Sequence, residues 1–300
     1  MKSIIKLSVF LLIALFFVTL YFTTASGYHT PAPFGKDYAT VRIFDEDGIN
    51  SGEMSAIRFS ADEMSETVEG AERLWCDAYS RFETVTVTNE AGKSATTPAT
   101  VTGGDYFLFH NLKFLSGHYY SSDDLNFDRV VIDERLSFDL FGSPDSVDMK
   151  IEVGGLELYV AGVVALDDSD AYKVSFEENP MIYLPENIGE KIFGKKDFDY
   201  YEICLQNPVT SHAVKSLETV TADMTVIDAT NRFNLIPTFK NLKSFTKRSY
   251  ITEPLDFPYF ENADREREDK LALLMALSIM ALVIFFAELT LFIFRIRRKR

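Results

Sequence analysis

Three kinds of residue in this sequence could do chemistry: two cysteines, four histidines and a carboxylate inside an apolar run. Cys76 and Cys204 are far apart in the chain and neither lies in a CxxC, so metal or redox-motif spacing is missing. They either close a disulfide, as an oxidising compartment would allow, or stay two buried free thiols. The histidines are His29, His110, His118 and His212, and none is paired at i, i+4 on a helix. A metal at His110 and His118 would need Asp123 or Asp124 as further ligands; ordinary surface histidines explain all four. AGKS at residues 91–94 lacks the first glycine of a phosphate loop, because Val87 stands there, and reads as a hairpin turn. LDDSD at residues 166–170 lacks the glycine and the bidentate glutamate of a calcium loop. No GxSxG elbow is present either. The expectation is a non-enzymatic chain with no catalytic, cofactor-binding or metal residue, so any ATP hydrolysis belongs to a partner.

Glu288 is the pointed carboxylate. It is the one charge in Leu271 to Phe294, a run of 24 residues. At about 1.5 Å per residue the run reaches roughly 36 Å, enough for a hydrocarbon core of about 30 Å. A carboxylate there is costly unless paired or hydrated. It either sits near the headgroups and pairs loosely with Arg295, or faces another helix of this chain or of a partner. A second apolar run follows Lys2 and Lys6, from Leu7 to Phe22, and reads as a membrane anchor or a cleaved signal peptide. Lys2 and Lys6 flank one run; Arg295, Arg297, Arg298, Lys299 and Arg300 follow the other. The positive-inside tendency puts both ends in the cytoplasm and the bulk of the chain outside a cell membrane. The net charge is −15 even with those basic ends included, so the outer part is more acidic still. Such a surface repels phosphate backbones, and nucleic acid is excluded as a partner. The lipid bilayer is the partner the composition demands.

These elements divide the chain as follows: residues 1–6 are a cytoplasmic start and 7–26 the first transmembrane helix or signal peptide. Residues 27–270 form the outer domain, 271–294 the second transmembrane helix and 295–300 a basic cytoplasmic tail. Within the outer part, Tyr38 to Phe44 reads as a strand and DEDG as a turn. Ser60 to Tyr79 then reads as a helix with a Ser60–Glu63 capping box and an apolar face of Met64, Val68, Ala71, Trp75 and Ala78. Arg81 to Thr88 is a strand. A second unit follows the same plan: a strand with Tyr201, Ile203 and Leu205, then a helix from Asn207-Pro208 with Val214, Leu217 and Val220 on one face. A return strand starts at Met224. Between the units, Asp133 caps a short helix that Gly142 ends, and Gly154-Gly155 turns a hairpin. The fold class is α+β: two strand-helix-strand units in one sheet (38–110 and 198–230), a β-rich inserted subdomain (111–197), a membrane-proximal segment (231–270) and two flanking transmembrane helices. Arg232, Lys240, Lys243, Lys247 and Arg248, interleaved with apolar residues, suggest an amphipathic helix that packs on the domain or rests on the outer leaflet.

The run GGDYFLFHNLKFLSGHYYSSDDLNFDRVVIDERLSFDLFGS followed by IEVGGLELYVAGVV resembles the MacB-like periplasmic core domain of a class of ABC transporter permeases. Leu115-Ser116-Gly117 fills the place of a turn, Ser121 to Leu125 that of an acidic helix start and Leu140-Phe141-Gly142 that of a helix end. Val160-Ala161-Gly162-Val163 closes the hairpin, and Pro258 to Leu274 resembles the approach to such a permease's second membrane helix. The resemblance covers roughly residues 38–230. It implies a permease-like subunit that works with a cytosolic ABC ATPase subunit and a second permease chain. The family's further two helices and its cytoplasmic coupling segment have no counterpart before Arg300. A stand-alone, membrane-anchored binding or scaffold protein derived from such a permease is the alternative.

Overall fold

The computed structural model describes residues 2–28, 34–35, 37–66, 74–110, 112–120, 128–167, 169–177, 179–245 and 257–298. In chain order the elements begin α1 (Lys2–Ser26), β1 (Tyr38–Ile49), α2 (Ser51–Glu66), β2 (Cys76–Asn89), β3 (Ser94–Gly104), α3 (Tyr106–Phe109) and β4 (Phe114–Gly117). Then come β5 (Arg129–Asp133), α4 (Glu134–Phe141), β6 (Lys150–Val153), β7 (Leu156–Val164), α5 (Asp170–Phe176), β8 (Ile182–Pro185) and α6 (Glu186–Phe193). The chain continues with β9 (Phe198–Gln206), α7 (His212–Leu217), β10 (Thr225–Asp228), α8 (Leu235–Asn241) and α9 (Tyr259–Arg297). They fall into two compact units. Residues 30–230 with 254–259 form a sheet-based domain, and residues 1–29, 231–253 and 260–300 form a helical unit.

In the domain, β10, β1, β9 and β2 lie in that order, each antiparallel to its neighbour. The chain therefore runs β1-α2-β2 with β9 between the two strands, and β9-α7-β10 with β1 between them: two interlocked split β-α-β units. Helices α2 and α7 cover one face, over a core of Val41, Ile43, Ile57, Ala61, Ile203 and Leu217. The rest of the sheet curls. β2 pairs β3, β3 pairs β8, β8 pairs β5, β5 pairs β7, β7 pairs β6, and β6 returns to β2, closing a ring of six strands. Its apolar core takes Val87, Val101, Ile132, Val153 and Leu184 from the strands, Leu136 and Leu140 from α4, and Ile188 from α6. The expected α+β class, with strand-helix-strand units in one sheet and a β-rich insertion, is what the domain shows. The ring also takes in β2 and β3, which sequence reading assigned to the α/β part.

Several local expectations hold. Asp133 accepts a hydrogen bond from Leu136 N at the start of α4, and Gly142 ends that helix at φ 72°. Gly154 and Gly155 both take positive φ between β6 and β7. Ala91 to Lys93 of the AGKS stretch lie in the turn between β2 and β3, and Ser94 opens β3.

Others need correction. The helix expected over residues 60–79 is α2, Ser51–Glu66, and from Cys76 the chain is strand. The cap is Asn50, not Ser60: Asn50 Oδ1 accepts from Gly52 N at 2.8 Å and Glu53 N at 3.1 Å, while Glu53 Oε2 accepts from Asn50 N at 2.8 Å. β2 misleads because its first six residues are buried, leaving no two-residue alternation to read. Val68 and Ala71 lie outside the described residues. DEDG does not end β1; the ladder shifts register between Phe44 and Ile49 and resumes. Asn207-Pro208 precedes α7, which starts only at His212. Residues 115–117 are strand rather than turn, and at Gly117 (φ +68°) a Cβ would come within 2.1 Å of the Ala161 carbonyl oxygen. Ser169 of the acidic loop caps α5, accepting from Tyr172 N. The helix start at residues 121–125, with Asp123 and Asp124, lies outside the described residues, as do His29, Lys247 and Arg248.

In the helical unit, α1 and α9 are, among the described residues, the two helices long and apolar enough to cross a membrane. They run antiparallel. Tyr21 clusters with Leu271 and Met275 near one end, and Lys6 meets Glu288 near the other. α9 has 39 residues, about 58 Å of helix, so it outruns a hydrocarbon core of about 30 Å.

Candidate functional site

In a strand, alternate residues share a face. The face of the domain's sheet turned away from α2 and α7 therefore carries three rows of side chains across β1, β9 and β2: Thr40, Cys204 and Cys76; Arg42, Glu202 and Ala78; Phe44, Tyr200 and Ser80. The middle row holds a buried charge network. Arg42 Nε donates to Glu202 Oε1 at 2.6 Å, and His110 Nε2 lies 2.7 Å from Glu202 Oε2. The three side chains are 4%, 1% and 8% exposed. His110 follows α3, stacks on Tyr106 with ring centroids 4.4 Å apart, and shares a 3.0 Å hydrogen bond with the Tyr200 hydroxyl. Burial alone would raise the Glu202 pKa; the charges of His110 and then Arg42, with their hydrogen bonds, outweigh it and lower it. The arrangement is an electrostatic tie between β1, β9 and the end of α3.

On the other face Asp77 does similar work. Arg58 Nε of α2 donates to its Oδ2 at 2.6 Å, and the Tyr201 hydroxyl donates to the same oxygen at 2.6 Å.

Cys76 and Cys204 face each other directly in adjacent antiparallel strands, and both are buried free thiols. A hydrogen bond to Cys204, and then burial, push the Cys76 thiol pKa up, so at neutral pH it stays protonated.

The helical unit contains a second buried charge cluster. Arg232 forms two hydrogen bonds with Glu261, at 2.7 and 2.8 Å, and one with Glu268 at 3.0 Å; Asp264 lies 3.5 Å away. Residues 261, 264 and 268 share one face of α9. Burial works against the charge, but Glu261, then Glu268 and Asp264, hold Arg232 above its usual range. At the far end of the helices Lys6 Nζ lies 2.5 Å from Glu288 Oε1, so Glu288 meets α1. Lys2 opens α1; Arg295 and Arg297 lie in the last turn of α9 and Arg298 follows it; Lys299 and Arg300 fall outside the described residues.

Sequence reading missed Arg42, Glu202 and the Arg232 cluster, and it placed His110 at the surface. A signal existed: YATVRIF and YYEICL each carry one charge inside an otherwise apolar strand, and the two charges are opposite. Charges in buried strands are paired or absent.

Two membrane-length helices flanking a split β-α-β domain with a closed strand ring define a membrane-anchored chain built around a domain carried between its spans. The chain belongs to the MacB-like periplasmic core domain family, whose model matches residues 4–226. The macrolide export ATP-binding/permease protein MacB of Chromobacterium violaceum is 32% identical over 105 residues, a match covering 34% of this chain and 16% of that protein. This chain thus spans only about a sixth of that relative. Among solved structures, the periplasmic region of MacB from Actinobacillus actinomycetemcomitans is similar at 16% identity and a TM-score of 0.45, over 63% of this chain and 88% of that one. The extracellular domain of the noncanonic ABC-type transporter YknZ from Gram-positive bacteria is similar at 15% identity and a TM-score of 0.43, over 63% of this chain and all of that one. The family model describes a periplasmic core domain, and the printed name of the relative joins ATP binding to a permease.

Proposed function

We propose that this chain is a permease-like membrane subunit of an ABC transporter system. It has no ATPase activity of its own and uses its domain to engage a partner or substrate outside the cytoplasm. Both termini are cytoplasmic, and the domain lies beyond the cell membrane. A cytosolic ABC ATPase subunit and a second permease chain are its partners. The observation that carries this reading is the extent of the family match, which takes in α1 and the domain almost to the end of β10. The relative's printed name, joining ATP binding to a permease, supports an ATP-driven setting.

Co-purification tests it. Extraction in a mild detergent is expected to bring down an ATP-binding subunit and a multi-helix permease. Recovery of the chain alone or self-associated sinks the reading and favours a stand-alone anchored binding or scaffold protein. Orientation is checked separately: protease added to cells with a permeable outer envelope is expected to digest residues 40–260. Their survival would invert the topology.

A further inference from the structure

We propose that α8 is an interfacial element whose exposed face is seated in the lipid bilayer, at the end of the spans opposite the Lys6–Glu288 pair. Three apolar side chains of this short helix point outward: Leu235 is 51% exposed, Ile236 71% and Phe239 60%. At about 100° per residue they fill one arc of the helix. The neighbouring arc is held down, with Thr238 buried and Leu242 packed into the cluster of Tyr21, Phe233, Leu271 and Met275. The Tyr21 hydroxyl donates to Thr238 Oγ1 at 3.3 Å, tying α8 to α1.

The occupant follows from where this face sits. α8 is held against the spans at Tyr21 and Leu271, beside positions where Phe22 and Leu273 are themselves exposed. Tyr21 and Tyr28 stand at this same end, and Tyr28 packs on Phe233 with ring centroids 5.4 Å apart. Tyrosine at the end of an apolar span marks the headgroup level. Lys240 and Lys243 are exposed beside the apolar arc, within reach of lipid phosphate, and their stems can lie along acyl chains. An apolar arc, flanking cations and an aromatic belt at one level are the attributes of a helix lying in the interface plane. Sequence reading offered the domain or the outer leaflet as this segment's support. The structure groups it with the spans. The choice of the outer leaflet rests on the orientation proposed above; the contact with lipid does not.

The full chain carries one tryptophan, Trp75, which lies in the domain. Phe239→Trp therefore adds a second reporter whose emission is read by difference from the unsubstituted protein. Both proteins are reconstituted into phosphatidylcholine–phosphatidylglycerol vesicles, with and without lipids brominated near the headgroup. The expected result is blue-shifted added emission that the brominated lipids quench, with Trp75 unchanged; Ile236→Trp should behave alike. Water-like, unquenched emission overturns the proposal. So does shielded but unquenched emission, which would mean that a second copy or another protein covers the face. An alkaline carbonate wash that strips the chain from the vesicles defeats the membrane reading as well. Protease digestion of the same vesicles reports orientation independently.

Discussion

Arg42, Glu202 and His110 stabilise the domain only as a set. The Arg42 guanidinium and the His110 ring share one carboxylate out of reach of water, so removing the carboxylate takes the Glu202 counter-charge from a buried guanidinium. Glu202→Ala is expected to cost roughly 3–5 kcal/mol. The Trp75 indole, which donates to Asp62 Oδ1 at 2.7 Å, reports the loss through its emission during chemical unfolding. Replacing both charges, as Arg42→Met with Glu202→Leu, should recover most of the deficit. A double variant no better than the single one would show that packing rather than charge is what the site supplies. Acid acts on the same group: the folded pKa is below the ordinary 4.5, so the unfolded chain takes up the proton first and stability is lost as pH falls through that range. Asp133 has the opposite sign. Burial raises its pKa from 3.8 to about 6, against the hydrogen bonds it accepts from Leu136 N and Met181 N. Its contribution is present below about pH 3.8 and is lost as pH rises through about 6. A shift of about two units corresponds to on the order of 3 kcal/mol. The Asp133→Asn variant should therefore lose stability less than the unsubstituted protein between about pH 4 and 6. Parallel unfolding curves across that range would refute the assignment.

At the scale of elements, the pairing of β2 with β9 sets two thiols opposite each other. Directly opposed residues in an antiparallel pair stand about 4.5 or 5.5 Å apart at Cα, and disulfides span about 4.4–6.8 Å, so neither strand need move. We propose that the pair closes when the domain is exposed to a disulfide of an exchanging dithiol protein. The two thiols lose two protons and two electrons, and the acceptor disulfide is reduced to its dithiol. The bond would span a long stretch of chain and stabilise the domain by roughly 4–5 kcal/mol. Peptide mapping without reductant should find a Cys76–Cys204 cross-link that Cys204→Ser abolishes; two alkylatable thiols in protein from the native membrane would refute it. The same strand shows where the sequence was legible. α4, with Asp133 and Gly142 at its ends, and the Gly154-Gly155 hairpin were readable because their signals are local: a cap, a left-handed glycine, an alternation. The start of β2, Cys76 to Tyr79, was read as the end of a helix because burial of consecutive residues erases the period, and one of its partners, β9, lies more than a hundred residues on. The charge network stayed hidden for the same reason. Arg42, His110 and Glu202 come from three separate segments, and only strand register brings them together.

At the scale of the whole chain, α1 and α9 carry the family's domain between them, and their own pairing includes the one acidic side chain of the second apolar run. Glu288 is 22% exposed and Lys6 55%, both by side chain. Without lipid that would be a surface pair worth little. Inside a bilayer the alternative to pairing is a lone charge near hydrocarbon, so the pair orients the helices even where its net contribution is modest. Interhelical polar contacts in membranes are worth about 0.6 kcal/mol on average and about 1.7 at most. Glu288→Gln should therefore lower the melting temperature of the helical unit in detergent only slightly. Glu288→Ala should do the same while leaving Lys6 unpaired. The decisive variant exchanges the charges. Lys6→Glu alone opposes two carboxylates and should disturb the pair most, whereas Lys6→Glu with Glu288→Lys restores the attraction. Cross-linking between cysteines placed at Val9 and Phe285, in a background lacking Cys76 and Cys204, reads the helix pairing directly. Loss of the cross-link in the single charge variant and its return in the exchanged one is the expected pattern. A cross-link indifferent to all four variants would mean that apolar packing alone sets the two helices together, and that Glu288 answers to a partner outside this chain.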